Sequence, residues 1–354
     1  MDRISVGRRE KMLTVKENVR ETLKKDGHPD RFVNQYEYLG MTFTPSVGVA
    51  MPKYGGEPIV NSWGVTMSWP EGTPGAFPVH TPDKILIKDI EHWQDYLHAP
   101  QASGFPDEAW EFPKMIADKI DKENQFLTVM MAPGIFENCH HFMEIQRFLI
   151  ALYEYPDEVH DIIKVIRDFE LEKAEDICSH LHPEAIFHHD DWGSQQSTFI
   201  SPAMFEDFFL DAYKEIYGYF HKNGVELIVH HSDSYAATLV PDMIEMGIDV
   251  WQGGMSTNNI HELVEKYKGQ IGFMSGIDSA WVDNPDYSRE NTRYWVRKIM
   301  DEYETPNGFI PCITQGGPMS TFPGVYSDAC EEIAAYNQER FGVSSNFCME
   351  MKLG

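Results

Sequence analysis

From about residue 125 onward, short apolar runs of β-forming residues alternate with longer amphipathic stretches. Phe126-Leu127-Thr128-Val129-Met130-Met131 is followed by Ala132-Pro133-Gly134 and a helical stretch near His141 to Tyr153. Ala185-Ile186-Phe187-His188 leads through Asp190-Asp191-Trp192-Gly193 to a helix whose Ser201-Pro202 start sets a cap residue before an N1 proline. Leu227 to His230 precedes a helix ending near Gly247, and Asp249 to Gln252 precedes one ending near Gly269. Ile271 to Ser275 is followed by a helix around Thr292 to Tyr303, and Phe309 to Thr314 by a helix from about Ser327 to Phe341. This alternation predicts parallel strands joined by right-handed crossovers. With an early strand near Phe32 to Tyr38, the favoured architecture is an α/β fold of the (β/α)8 TIM barrel type, carrying an N-terminal helical and loop-rich extension.

Two earlier regions differ in texture. Thr14 stands three positions before Glu17, a capping-box pattern, and Gly27 closes the stretch, so a first helix is expected over 14–27. From about Thr42 to Pro82 the chain is rich in Pro, Gly and Trp, including Pro45, Pro74, Trp63 and Trp69. Residues 1–354 are therefore read as one barrel domain, with 42–120 as a loop-rich insertion covering the barrel mouth.

Composition narrows the partners. Lys and Arg total 29 against 56 acidic residues, for a formal charge of −27, so phosphate backbones and anionic membranes are repelled and nucleic acid is excluded as a partner. Five cysteines (Cys139, Cys178, Cys312, Cys330 and Cys348) lack paired spacing, and Met1-Asp2-Arg3-Ile4 opens no signal-like apolar core. No apolar run approaches the roughly 18 residues of a spanning helix. A soluble protein of the reducing cytoplasm is expected, and a homodimer remains open.

In a barrel, chemistry gathers at the carboxyl ends of strands. Those ends are polar here: Glu37; Glu137 with His140 and His141; His188 to Asp191; His230, His231 and Asp233; Gln252; Asp278; Cys312 with Gln315. His231, Asp233 and Cys312 offer an imidazole, a carboxylate and a thiolate from two strands, a ligand set suited to a zinc-like cation with open positions. Asp190 and Asp191 are candidates for general acid or ligand, or else helix caps. Glu137 is a further catalytic candidate, though it is equally placed to begin a helix. Of His230 and His231, strand alternation sends only one inward. Trp192, Asp278, His230 and Gln315 are candidate substrate contacts, with Asp278 equally able to cap. Trp63, Trp69, Trp192, Phe199, Trp251 and Phe322 could enclose a flat ring.

The stretches His188-His189-Asp190-Asp191-Trp192-Gly193, Ser201-Pro202-Ala203-Met204-Phe205, His231-Ser232-Asp233 and Ser275-Gly276-Ile277-Asp278, with Gly27-His28-Pro29-Asp30-Arg31 near the start, resemble the uroporphyrinogen decarboxylase superfamily. The likeness is to its corrinoid-dependent methyltransferase branch, of the O-demethylase methyltransferase kind. It implies a barrel that moves a methyl group between a small molecule and the cobalt of a separate corrinoid protein. In the thiol methyltransferases of that superfamily a His-x-Cys pair and a distant Cys hold zinc, which here correspond to His231, Asp233 and Cys312. The first cysteine is replaced by Asp233. A carboxylate in place of a thiolate leaves the ion less electron-rich, so it favours polarising an ether oxygen over activating a thiol.

The expected reaction is cleavage of an aryl methyl ether of the guaiacol or veratrole type, with zinc as Lewis acid and cobalt(I) of a partner corrinoid protein as methyl acceptor. No Asp-x-His-x-x-Gly signature is present, so cobalamin would arrive on that partner. Methylamines, other methyl ethers and methylated thiols are alternative donors. A decarboxylase acting on a substrate dense in carboxylates would need Arg or Lys at these strand ends, which instead carry acids, imidazoles and amides. A barrel that binds a ligand or corrinoid protein without this chemistry is the rival of a different class.

Overall fold

The computed structural model describes residues 12–45, 52–73, 75–318 and 320–345. The stretch Met1-Asp2-Arg3-Ile4, Pro74 and Cys348 lie outside the described residues. The apolar runs after residue 125 all become strands: β5 (Phe126–Met131), β6 (Ala185–His189), β7 (Leu227–His231), β8 (Val250–Gln252), β9 (Gly272–Ile277) and β10 (Phe309–Ile313). They pair in parallel in chain order, and β1 (Leu39–Thr42) pairs with β5, giving seven strands in the order β1-β5-β6-β7-β8-β9-β10. Continuous Val, Ile, Leu and Phe in these strands reflects burial on both faces, as parallel sheets under helices require.

The sheet is curled but open, so the closed eight-stranded barrel expected from the alternation does not form among the described residues. The cause lies in residues 32–38, which are not the early strand that their apolar content suggested. Gln35 takes a left-handed backbone at φ 50°, and Glu37 N–H and Leu39 N–H donate back to the carbonyls of Asn34 and Tyr36. These local turns use the groups a ladder needs, so extension begins only at Leu39. The edge of β10 is met by a side chain: Ile313 N–H donates to Gln35 Oε1 at 3.3 Å. Glu37 consequently sits at no strand end; buried, it accepts from Asn34 N–H and Ser345 Oγ.

Helices clothe the outer face of the sheet. The first, α1 (Val15–Leu23), carries the capping box of Thr14 and Glu17 and stops four residues before Gly27. The expected helix near His141 divides into α3 (Ile135–Met143) and α4 (Ile145–Glu154), because Glu144 between them is left-handed and caps the second. The longest helix, α5 (Pro156–Leu181), is absent from the sequence-based expectation, although Pro156 at N1 and buried Val159, Ile162, Ile163, Ile166 and Phe169 give it helical periodicity. Ser201 caps α6 (Pro202–Phe205), which runs through a π-turn at Glu206–Leu210 into α7 (Asp211–Lys222). Then follow α8 (Val240–Met246), α9 (Ile260–Tyr267), α10 (Ser279–Val282), α11 (Arg289–Met300) and α12 (Val325–Phe341). Among the described residues no helix is long and apolar enough to cross a membrane.

Between β1 and β5 the chain folds a small antiparallel sheet of β2 (Ile59–Val60), β3 (Thr66–Ser68) and β4 (Phe77–Pro78), two 3-10 turns, and α2 (Glu111–Ala117). Aromatic anchors fasten this segment to α3 and α5. Trp63 is buried with its ring 5.2 Å from Phe142 and 4.9 Å from Phe169, and Trp110 stacks on His180 at 4.3 Å. Removing a buried indole costs about 3–5 kcal/mol through lost transfer energy and cavity formation. Trp63→Ala should therefore lower the unfolding free energy by about that amount in urea titration; a loss under about 1 kcal/mol would mean that the segment is held elsewhere.

Candidate metal site at the ends of two strands

Strands β6 and β7 each end in a pair of histidines, and parallel pairing aligns them: His188 opposite His230 and His189 opposite His231. Successive side chains point to opposite faces, so the four imidazoles separate into two pairs. One pair faces the helices. His188 Nδ1 lies 2.7 Å from Tyr217 Oη, which lies 3.0 Å from His230 Nδ1, while His230 Nε2 donates to the Asp190 carbonyl at 3.1 Å. Trp192 stacks on His230 at 4.0 Å, and all these groups are buried. This is a buried polar core, in which His188 Nε2 faces Glu170 Oε2 at 3.6 Å without a hydrogen bond.

The other pair faces the concave side. The rings of His189 and His231 stack at 4.4 Å, and Asp191 from the β6 end joins them, so that one ligand atom from each falls within 4.8 Å of the others. Both imidazoles are oriented from behind. Gln252 Nε2 donates to the carbonyls of Ile313 at 3.3 Å and Thr314 at 3.2 Å, which fixes its amide so that Oε1 accepts from His231 Nδ1. His189 Nδ1 donates to Glu137 Oε2 at 2.9 Å. With both Nδ1 atoms engaged, Nε2 is the remaining ligand atom of each ring, the arrangement that metal-binding histidines adopt.

Burial and the cluster's own charges set the protonation of its members. Burial, aided by repulsion from His189, lowers His231 to about 4 and leaves its imidazole neutral. Burial also raises Asp233 to about 8, with Asp191 adding to the rise. For His189 burial opposes the charge, but Glu137, Asp191 and Asp233 override it and hold the ring up near 10. Burial pushes Glu137 upward while His189 pulls it back. Two imidazoles with a carboxylate are a donor set that zinc accepts.

The sequence candidates divide accordingly. Of His231, Asp233 and Cys312, only His231 belongs to the converging group. Asp233 stands beside it, its N–H on Asp191 Oδ1 at 3.0 Å. Cys312 is buried on β10, three strands from β7; its Sγ donates to the Ile313 carbonyl at 3.3 Å and lies 3.9 Å from Gln252 Nε2. The Gln252 amide fills the space between that sulfur and His231, and burial raises the thiol pKa far above its usual value. Glu137 touches the group through His189. Asp190 is fully buried and accepts from the N–H groups of Phe136 and Glu137 at 2.9 and 2.8 Å, from Trp192 Nε1 at 3.2 Å and from Tyr213 Oη. It caps α3 from a distance, where Gly134 has no side chain to do so and a Cβ would lie 2.5 Å from that of Asp190. Burial and the charge of Glu137 raise Asp190 to about 7.

The candidate substrate contacts Trp192, His230, Asp278 and Gln315 fall in different surroundings. Trp192 and His230 lie in the polar core just described. Asp278 caps α10 through Ala280 N–H and also accepts from Ser256 N–H and Oγ. Gln315, half-buried, donates its N–H to Ser279 Oγ at 2.9 Å. His189 as a member of the converging group and Gln252 as the hydrogen-bond partner of His231 were missed in the choice of site residues. The signal that could have found them is the repeated His-His ending of two consecutive strands.

The family profile for uroporphyrinogen decarboxylase (URO-D) matches residues 59–321. Among solved structures, a methyltransferase from Methanosarcina mazei is similar with a TM-score of 0.53 at 13% identity, covering 78% of this chain and 76% of that one. A B12-independent methionine synthase from Shewanella sp. W3-18-1, in complex with selenomethionine, is similar with a TM-score of 0.45 at 14% identity, over 69% of each chain. No curated protein matches the chain. At 13% identity the likeness to the Methanosarcina mazei protein is one of fold.

Two substitutions separate scaffold from ligand. Asp190→Ala strips the acceptor from four donors and should cost about 3 kcal/mol in denaturant titration without removing divalent metal; metal loss at unchanged stability would place Asp190 in the ligand shell. Gln252→Leu should weaken zinc binding about 10-fold to 100-fold in a chelator competition, since it frees the His231 ring to turn. Unchanged affinity would sink the orienting role of Gln252.

Proposed function

The chain belongs to the uroporphyrinogen decarboxylase family, and from that membership together with the imidazole–carboxylate group we propose that it is a metal-dependent methyltransferase of the O-demethylase kind. In this reading it takes the methyl group of an aryl methyl ether of the guaiacol or veratrole type and delivers it to cobalt(I) of a separate corrinoid protein. The observation that carries the reading is the convergence of His189, Asp191 and His231 with both Nδ1 atoms already engaged.

His231 and His189 would hold a zinc ion through Nε2 and Asp191 through a carboxylate oxygen. When bound, the ion supplies Lewis acidity to the ether oxygen, which an aryl ether needs because phenolate leaves poorly. Gln252 and Glu137 keep the two rings from turning. Asp233 stands against Asp191, its N–H donating to Asp191 Oδ1, and so helps to orient the carboxylate that would take the ion. Asp190 acts through α3, holding Glu137 at the start of that helix. The strand ends offer acids, imidazoles and amides, which suits a cation and a neutral ether better than a polycarboxylate.

We further take residues 42–120 as a cover over the strand ends within a single domain. His80 supports this, its Nε2 lying 3.2 Å from the carbonyl of His141 at the same rim. Incubating the zinc-loaded protein with cobalt(I) cobalamin and guaiacol should yield catechol and the absorption spectrum of methylcobalamin. Failure to methylate cobalt from any of a panel of methoxyarenes, by protein shown to contain zinc, would exclude this donor class.

A further inference from the structure

A second set of metal-competent side chains lies next to the first and shares only Glu137 with it. Glu137, His140 and His141 occupy positions i, i+3 and i+4 of α3, the spacing that gathers side chains on one helix face, and one ligand atom from each falls within 4.8 Å of the others. Ligand atoms about 2.1 Å from a tetrahedral zinc are about 3.4 Å apart, so small rotamer adjustments would close this set on an ion. The rings of His140 and His141 meet edge to face at 88° rather than stacking, which leaves their nitrogens able to turn to a common point. All three residues are half-buried, within reach of solvent ions. Both histidines lie in the last turn of α3, where the negative end of the helix dipole favours a cation.

Glu137 joins the two sets. Its Oε2 accepts from His189 Nδ1, leaving Oε1 for a ligand on the α3 side. We propose that Glu137, His140 and His141 form a second divalent-cation site, with the Glu137 carboxylate serving at once as its ligand and as the outer partner of His189 in the first. The class of ion is one that accepts imidazole and carboxylate together, such as zinc or manganese. The site rests only on the geometry of α3 and stands independently of the function proposed above.

Apo protein dialysed against zinc and washed should hold two ions per chain by elemental analysis. The paired variant His140→Gln/His141→Gln should hold one, and His189→Gln/His231→Gln should also hold one. Loaded with manganese, the unmodified protein should give an electron paramagnetic resonance spectrum broadened by two neighbouring ions, and each paired variant the resolved hyperfine pattern of an isolated one. A single zinc per unmodified chain, kept by His140→Gln/His141→Gln and lost by His189→Gln/His231→Gln, would overturn the second site and leave the first intact. A single zinc lost only by His140→Gln/His141→Gln would instead remove the first site and with it the proposed function.

Discussion

The in-register pairing of β6 with β7 is the constraint on which the rest depends. Two consecutive parallel strands ending in His-His can align only one way without slipping a residue, and a slip would exchange the faces of all four rings. With the observed register, His188 and His230 vanish into a core of Tyr217, Trp192 and the Asp190 carbonyl, where three of their four nitrogens are hydrogen-bonded. His189 and His231 are left facing one another on the concave side. The helix-facing pair thus underwrites the concave-facing one: the hydrogen bonds that hold the first fix the register that creates the second.

Much of the architecture is legible from the residues themselves. Continuous β-branched and aromatic runs such as Leu227-Ile228-Val229 have little alternative to a doubly covered parallel strand, and Ser201-Pro202 starts its helix where cap chemistry says it should. The failures have local causes. Phe32, Val33, Tyr36 and Tyr38 read as a strand by hydrophobicity, yet Asn34 and Gln35 divert the backbone into turns. Closure of the sheet is a property of its two edges, Leu39–Thr42 and Phe309–Ile313, and no pattern within either segment reports on whether they meet. The long helix Pro156–Leu181 has the periodicity to be seen, but its buried Glu170 and Lys173 dilute the apolar stripe.

The site was legible by region rather than by role. Strand-end logic finds His231 and Asp191 because position along a strand survives in the sequence. Ligation by Cys312 depended on β10 reaching β7 across the mouth, and the amide of Gln252 stands in that path. Asp190 and Asp191 are neighbours with unrelated tasks, since the pleat turns one towards α3 and the other towards the imidazoles. A one-dimensional reading cannot apportion them until the facing helix is known.

The contact between Gly134 and Asp190 bears on how the molecule can respond to occupancy. An aspartate from the end of one strand is pressed into the bare backbone at the head of α3, and its carboxylate holds the second and third amides of that helix. The helix is welded to the strand that carries His189. Glu137, His140 and His141 therefore cannot drift relative to His189 by sliding or tilting α3, and any rearrangement on filling one set must be taken up by side-chain torsions alone. Such a joint makes the rim stiff, and a stiff rim discriminates among ions by radius.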